Sequence, residues 1–378
     1  MAKLHYFNPE NDIALAAGVK NFTPPKAAFA LRSAGAALPL WYGDRGDYVL
    51  AHGVNAQWYR TIEERFSTGV RLFDYSSADQ LVASPWGWSL AVKGVFEREG
   101  IDPAHLPADS EIDHWRTLSH RRTAALLRDE TATQLDFSIA PAAVEIKTTG
   151  DLERLLKPQP ESIMKSPWSS SGRGLIDTRR LTASEAIRRA EGIMRRQGSI
   201  MVEKAYERTA DFALLFECHG GKCSFVGYSF FNTDNSGNYT GNILASDERL
   251  LEAIGKYYPT ERIKTVSNVL CGALERIIAP YYNGPLGIDM LVATLDDGST
   301  LLDATVELNL RMTMGFVAHR LSERYIAEGS EGNYSVVPSN KTPVSDTMDV
   351  EDRKMVSGRI NLTPPGGLFS FVADVHRL

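Results

Sequence analysis

Asp289 and Glu307 are the first residues to suggest chemistry, because each lies nine positions from Gly298, one before it and one after. Gly298 closes an Asp-Asp-Gly string between the apolar runs 287–292 and 301–311, which reads as two strands joined by a tight turn. Antiparallel pairing then sets the two carboxylates opposite one another, to within about one residue of register. The two-residue period puts Glu307, Asn309 and Arg311 on one face, while Val306, Leu308 and Leu310 fill the other. Two carboxylates and a carboxamide oxygen form a hard oxygen site suited to Mg²⁺, with Mn²⁺ as a substitute. Arg311 adds a fixed positive charge. A solvated strand face would also carry polar residues, yet Asn is depleted from strand interiors.

Three further groups sit where chemistry is expected. Lys165 ends an apolar-led strand and is followed by Ser169, Ser170, Ser171, Gly172, Arg173 and Gly174. Backbone N–H groups in such a small-residue loop can approach phosphate oxygens closely. The loop is not a Walker A motif, since no GxxxxGK[ST] string occurs, and a plain surface turn has the same composition. A strand stopping at Glu203-Lys204, just before Tyr206, leaves backbone groups free to read a purine edge, with Lys204 and Asp211 in range of N7 or ribose hydroxyls. An ordinary charged strand end is the alternative. Asn8, Glu10 and Asn11 follow the first apolar run, where open α/β sheets bind ligands, so they are expected to border an acceptor pocket, unless they only shape a polar turn. Trp86 and Trp88 either line that cleft or serve packing.

The positioning elements alternate. Residues 4–7 read as a strand and 13–16 as the start of an Ala-rich helix; 37–42 and 48–50 read as further strands. Ser119 is expected to cap a helix over 121–127, and Gly150 to introduce a short helix over 151–156. Residues 162–165 and 199–202 read as strands around an amphipathic helix from Thr182 to about Gln197. Residues 212–231 read as a hairpin broken at His219-Gly220-Gly221, and 247–282 as helical, with a start at Thr260 and Glu261. From Glu331 the chain is expected to wrap on the body as loops, with one late strand around 368–375.

Composition bounds the function. The 378 residues allow two or three domains, and 43% hydrophobic with 23% charged residues belong to the globular class. Forty-one basic against 47 acidic residues give a formal net charge of −6, without the basic excess of nucleic-acid binders, so no nucleic-acid partner is expected. Cys218, Cys223 and Cys271 form no CxxC pair, which argues against a disulfide framework or structural zinc and for a reducing cytoplasm. No run of about eighteen apolar residues and no leader-type apolar core is visible, so no membrane partner is expected either.

Taken in order, Lys165 with SSSGRG, then VEKAYE, GPLGIDMLV and VELNLR resemble the ATP-grasp superfamily over about residues 115–325. The resemblance implies an α/β fold, α+β in parts: an N-terminal open α/β domain (1–115), an ATP-grasp domain (116–330) with a lid at about 139–205 and a C-terminal antiparallel sheet, and an extension (331–378) packed on the body. It also implies that Lys165 and the loop from Ser169 to Gly174 contact ATP phosphates, that Glu203, Lys204 and Tyr206 frame adenine, and that Asp211 reaches ribose. Asp289, Glu307 and Asn309 would hold Mg²⁺, Arg311 would lie over the reacting acyl group, and Arg122 would stand where the family keeps a phosphate-contacting lysine.

The activity so implied is a carboxylate-amine ligase working through an acylphosphate. Positioning and electrostatics govern such phosphoryl transfer, and Lys165 and Arg311 are its candidate catalytic residues. A kinase of the same fold and a non-catalytic nucleotide sensor are the alternatives. A small-molecule or peptide substrate and a second copy of the chain are the expected partners.

Overall fold

The polypeptide opens on a parallel sheet, because short apolar strands are joined by helices that must cross over to pair them side by side. In the computed structural model, which describes residues 1–75, 81–157, 161–169, 174–233, 239–339 and 345–378, these strands are β1 (Ala2–Tyr6), β2 (Tyr48–Val49), β3 (Arg71–Leu72) and β4 (Leu81–Pro85). They lie in the order β3-β2-β1-β4, all parallel. The connecting helices are α1 (Asn11–Ala17), α2 (Lys26–Ala34) and α3 (Ala56–Phe66), and α4 (Leu90–Arg98) follows β4. Leu4, Leu81, Val92 and Phe96 share one small core there.

Two helices lead out of this unit, α5 (Asp109–Leu118) and α6 (Arg121–Ala132). An antiparallel sheet follows, in the order β5 (Val144–Ile146), β8 (Ile200–Lys204), β6 (Ser162–Lys165), β7 (Leu175–Asp177). It is covered by α7 (Thr149–Leu156) and α8 (Ala183–Gln197), with Leu152, Met164, Ala190 and Ile200 at the core. Helix α8 has a reciprocal cap, with Thr182 Oγ1 accepting from Glu185 N and Glu185 Oε2 accepting from Thr182 N. It ends at Gly198, whose φ of 86° is the left-handed conformation of a C-terminal cap.

The largest sheet has nine strands among the described residues. These are β9 (Glu207–His219), β10 (Lys222–Thr233), β11 (Tyr239–Leu244), β12 (Gly284–Thr294), β13 (Thr300–Asn309), β14 (Ser330–Pro338), β15 (Asp349–Glu351), β16 (Lys354–Asn361) and β17 (Phe369–Arg377), in the order β13-β12-β9-β10-β11-β14-β17-β16-β15. Helices α9 (Asp247–Gly255) and α10 (Thr260–Ile277) bury Ile254, Val266, Leu270 and Leu274 against Phe212, Leu214 and Ile288. Helix α11 (Met314–Tyr325) joins the other core, with Val317 and Leu321 beside Trp41 and Phe371. No helix among the described residues is long and apolar enough to cross a membrane.

Four sequence expectations need correction. Residues 37–42 are no strand: 38–41 form a 3₁₀ turn with Pro39 near its start, and Trp41 Nε1 donates to Leu362 O at 2.6 Å. Helix α6 is capped by His120, whose Nδ1 accepts from Arg122 N at 3.0 Å, because Ser119 is spent on the end of α5, donating to Trp115 O. Helix α7 begins two residues earlier than expected, since Thr148 supplies its cap. The closing 48 residues are not mainly loops, for β14, β16 and β17 pair along most of their length. Several of their apolar residues point inward: Phe371 meets Phe7 edge-on at 5.7 Å, and Tyr334 and Val375 lie in the same core. Phe371→Ala is therefore expected to cost about 3–5 kcal/mol of stability in urea unfolding, where a loosely wrapped tail would give almost no change.

Candidate active site

The tight turn at Gly298, with φ of 80° and its N–H donating to Leu295 O, fixes the β12–β13 hairpin. Its register pairs Asp289 with Glu307 and Gly287 with Asn309. Pairing then slips between Asp289 and Leu291, and this bulge re-aims Val306. Val306 lines the cleft beside Glu307 instead of joining Leu308 and Leu310 in the core. The cleft, of about 220 Å³, gathers Asp289, Glu307, Asn309, Arg311, Arg121 and Lys165.

Two guanidinium groups answer the paired carboxylates. Arg121, the first residue of α6, donates from Nη2 to Glu307 Oε1 at 2.8 Å and to Ser169 Oγ at 3.2 Å, and from Nε to Ser166 O at 3.0 Å. Arg311 donates to Asp12 Oδ2 through Nη2 at 2.7 Å and Nε at 3.0 Å, and its Nη2 also reaches Asn309 Oδ1 at 2.7 Å. Burial and the neighbouring Glu307 still push the Asp289 carboxyl up to about 7, against the opposing pull of Arg311, an Asn309 hydrogen bond and Arg121. Among the described residues no three His, Cys, Asp or Glu side chains gather as a metal site, so the hard donors here are two carboxylates and one amide oxygen. A carboxylate pair whose repulsion is incompletely neutralised fits a divalent cation.

The lid-side residues form a second ionic group. Lys165 pairs with Glu203; Arg128 lies 3.8 Å from Glu203 and 2.6 Å from Asp303. Burial works to raise the Glu203 carboxyl, but Lys165 and Arg128 prevail and hold it below its ordinary value. Asp303 is driven the other way, to about 6, by burial that Arg128 only partly offsets. Arg128 is locked further by donating to Thr305 O and Pro141 O, both at 2.7 Å. Lys204 is exposed, with its ammonium 5.3 Å from the centre of the Tyr206 ring. Asp211 lines the cleft and accepts from Arg208 and, at 3.4 Å, from Thr233.

Ser169 lies on the cleft, and Gly174, at φ of 72°, passes so close to Ser166 that a Cβ would come within 2.1 Å of its hydroxyl oxygen. Ser170, Ser171, Gly172 and Arg173 lie outside the described residues. Trp168 anchors the start of the loop, donating from Nε1 to Arg116 O at 2.9 Å beneath the Arg116 guanidinium, and meeting His120 edge-on. His120 is held down to about 4 by burial and by Arg122, so it is a neutral structural cap at neutral pH.

The structure brings Arg121 rather than Arg122 to the carboxylates. One step along a helix turns a side chain through about 100°, so Arg122 faces Glu145 at 3.6 Å, half exposed and outside the cleft lining. The acceptor-side residues also divide. Asn8 and Glu10 line a different cavity. Asn11 is a fastener, for with its amide nitrogen turned toward the chain it donates to Gly87 O at 2.9 Å and Trp88 O at 3.2 Å. Trp86 is buried in the core, and Trp88 stacks against Phe96 and Trp115. Asp12, passed over in sequence, reaches the cleft through Arg311; its acidic neighbour Glu10 gave no sign of which of the two would do so.

Solved structures with a similar fold exist. The biotin carboxylase domain of Hydrogenobacter thermophilus 2-oxoglutarate carboxylase, a dimer complexed with MgADP, ADP and bicarbonate, superposes with a TM-score of 0.51 at 12% identity, over 100% of this chain and 86% of that one. Campylobacter jejuni biotin carboxylase gives 0.50 at 12%, over 99% and 87%. Rhizobium etli pyruvate carboxylase gives 0.52 at 13%, over 99% of this chain and 36% of that larger one. The fold is the ATP-grasp fold. No protein-family model matches the sequence, and no curated protein does, so the ATP-grasp likeness rests on structure.

The raised Asp289 carboxyl sets a testable pH dependence. A carboxyl whose folded value exceeds its unfolded one weakens the fold once it ionises, so this cost is fully present above about pH 7 and vanishes toward the unfolded value. Asp289→Asn should therefore raise the metal-free unfolding midpoint at pH 8 and leave it almost unchanged at pH 4. Thermal unfolding at the two pH values checks this, and Mg²⁺ should stabilise the parent protein but not the variant.

Proposed function

We propose that this chain is an ATP- and magnesium-dependent ligase that joins a carboxylate to an amine through an acylphosphate. The observation that carries the reading is the convergence of Asp289, Glu307 and Asn309 with Arg121, Lys165 and Arg311 on one cleft of an ATP-grasp fold. In support, one structural neighbour was solved with MgADP and bicarbonate. Domains at 1–115, 116–330 and 331–378, a homodimer and a cytoplasmic location belong to the same proposal.

Asp289, Glu307 and Asn309 would hold Mg²⁺, which when bound neutralises phosphate charge. Lys165, Arg121 and the loop from Ser169 to Gly174 bind the triphosphate, Glu203, Lys204 and Tyr206 frame the base, and Asp211 takes the ribose. Arg311, clamped by Asp12, orients the substrate carboxylate so that its oxygen attacks the γ-phosphorus while the bond to ADP breaks. The amine then attacks the acyl carbon, loses a proton, and expels inorganic phosphate to leave an amide. Fixed guanidinium groups suit both steps, since phosphoryl and acyl transfer share a need for preorganised positive charge.

Calorimetry should detect Mg²⁺-dependent ATP binding that Glu307→Ala weakens by about tenfold or more. Arg311→Met should lower ADP release by roughly 10²–10³-fold in the presence of substrates while sparing nucleotide binding. Screening amino acids, dipeptides and small dicarboxylates with Mg-ATP should give ADP and free phosphate in equal amounts; ADP without phosphate would identify a kinase, and unchanged ATP binding in Glu307→Ala would overturn the assignment.

A further inference from the structure

Three thiols gather where the β9–β10 hairpin turns against α10. The turn holds Gly220 at φ of 57° and Gly221 at φ of 79°, the left-handed pair that a two-residue hairpin loop requires. It fixes the register, so that His219 faces Lys222 and Cys218 faces Cys223. The residues closing such a loop form the hydrogen-bonded pair, which makes Cys218 and Cys223 the non-hydrogen-bonded pair beyond it. The Cys223 N–H agrees, since it turns away from β9 and donates to Glu275 Oε1 at 3.3 Å. Cα atoms of a non-hydrogen-bonded pair lie about 4.5 Å apart, inside the span that a disulfide bridges.

The third thiol comes from α10. Cys271 precedes Glu275 by four residues, so the bond from Cys223 N to Glu275 brings the face that carries Cys271 against the hairpin. The Cys271 sulfur meets the Cys223 thiol and the Phe225 N–H, and the Cys223 thiol also meets that of Cys218. Cys223 is thus the middle of a row. Exposure is graded along it: Cys218 is 1% exposed, Cys223 9%, and Cys271 is half-buried. The hydrogen bond from Cys223 holds the Cys271 thiol below its ordinary value against the effect of burial, which favours the thiolate at the sulfur nearest solvent. The Cys223 thiol is pushed up by its two sulfur neighbours, an effect that oxidation of Cys271 relieves.

We propose that Cys271 is a reversible oxidation site for peroxides, and that it passes the oxidation through Cys223 to a disulfide between Cys218 and Cys223. The Cys271 thiolate attacks a peroxide oxygen; the S–O bond forms, the O–O bond breaks and hydroxide leaves. The Cys223 sulfur then attacks the sulfenic sulfur, forming the S–S bond while the hydroxyl departs with the Cys223 proton as water. The Cys218 sulfur next attacks that of Cys223 and expels Cys271, which takes up the Cys218 proton. Two thiols are oxidised to one disulfide and the peroxide is reduced to water. Inside a reducing compartment such a bond is transient and redox-sensing. Asp211 of the cleft lies toward the other end of β9, so the thiols act apart from any ligase chemistry.

Trypsin separates the three cysteines, since Lys222 divides Cys218 from Cys223, and Arg249 and Lys264 divide Cys223 from Cys271. The test treats the reduced full chain with hydrogen peroxide, with and without dimedone as the trap for sulfenic acid, and maps unreduced tryptic peptides by mass spectrometry. Dimedone should capture Cys271 first. Without it, the peptides of Cys218 and Cys223 should become linked, with loss of two of the three thiols and their return on adding dithiothreitol. Cys271→Ser should slow formation of the link by about tenfold or more; dimedone capture needs no variant and decides the matter where the serine protein does not fold. First capture at Cys218 or Cys223, equal rates in Cys271→Ser, a final link between Cys223 and Cys271, or three thiols that survive peroxide sufficient to oxidise free cysteine would overturn the site.

Discussion

Two carboxylates held side by side across a hairpin set the terms for the surrounding structure. The β12–β13 register gives Asp289 and Glu307 no means of separating, and burial adds to their repulsion. The sheet tolerates this because cations arrive from distant parts of the chain. Arg121 comes from the start of α6 and is held by Ser166 O and by its own N–H to Pro167 O. Arg311 leaves the end of β13 and is held by Asp12, almost three hundred residues earlier. The hairpin's electrostatics thus tie the parallel sheet, the lid loop and the large sheet to one point.

That dependence explains which features the sequence disclosed. The hairpin was readable because a short turn fixes register, and register fixes the facing of Asp289 and Glu307. Lys165 and Glu203 were readable because each ends a strand bounded by clear local signals. Arg121 was passed over for Arg122 because the resemblance offered Arg122 in the place of a lysine, and one residue of helix phase decides which of the two reaches the carboxylates. Val306 escaped because a bulge leaves no mark in a strand that otherwise alternates polar and apolar residues. Asp12, β14 and β16 share a different obstacle: their partners are remote, and no local pattern announces a contact across most of the chain.

The two ionic groups around the cleft differ in balance, and the difference supports the roles proposed for them. On the lid side, Lys165 and Arg128 match Glu203 and Asp303 charge for charge when both acids are ionised. A phosphate arriving there must take Lys165 from Glu203; Arg128 remains beside Glu203, so the exchange does not strand a buried anion. On the hairpin side, Arg121 and Arg311 face Asp12, Asp289 and Glu307, one acid too many. The surplus negative charge is concentrated where a divalent cation would be the natural counterion, while the buried, paired Lys165 lies where a polyphosphate would compete for it. The chain's net charge of −6 is therefore compatible with an anionic substrate, because the separation of balanced and unbalanced clusters, rather than the total, determines the field in the cleft.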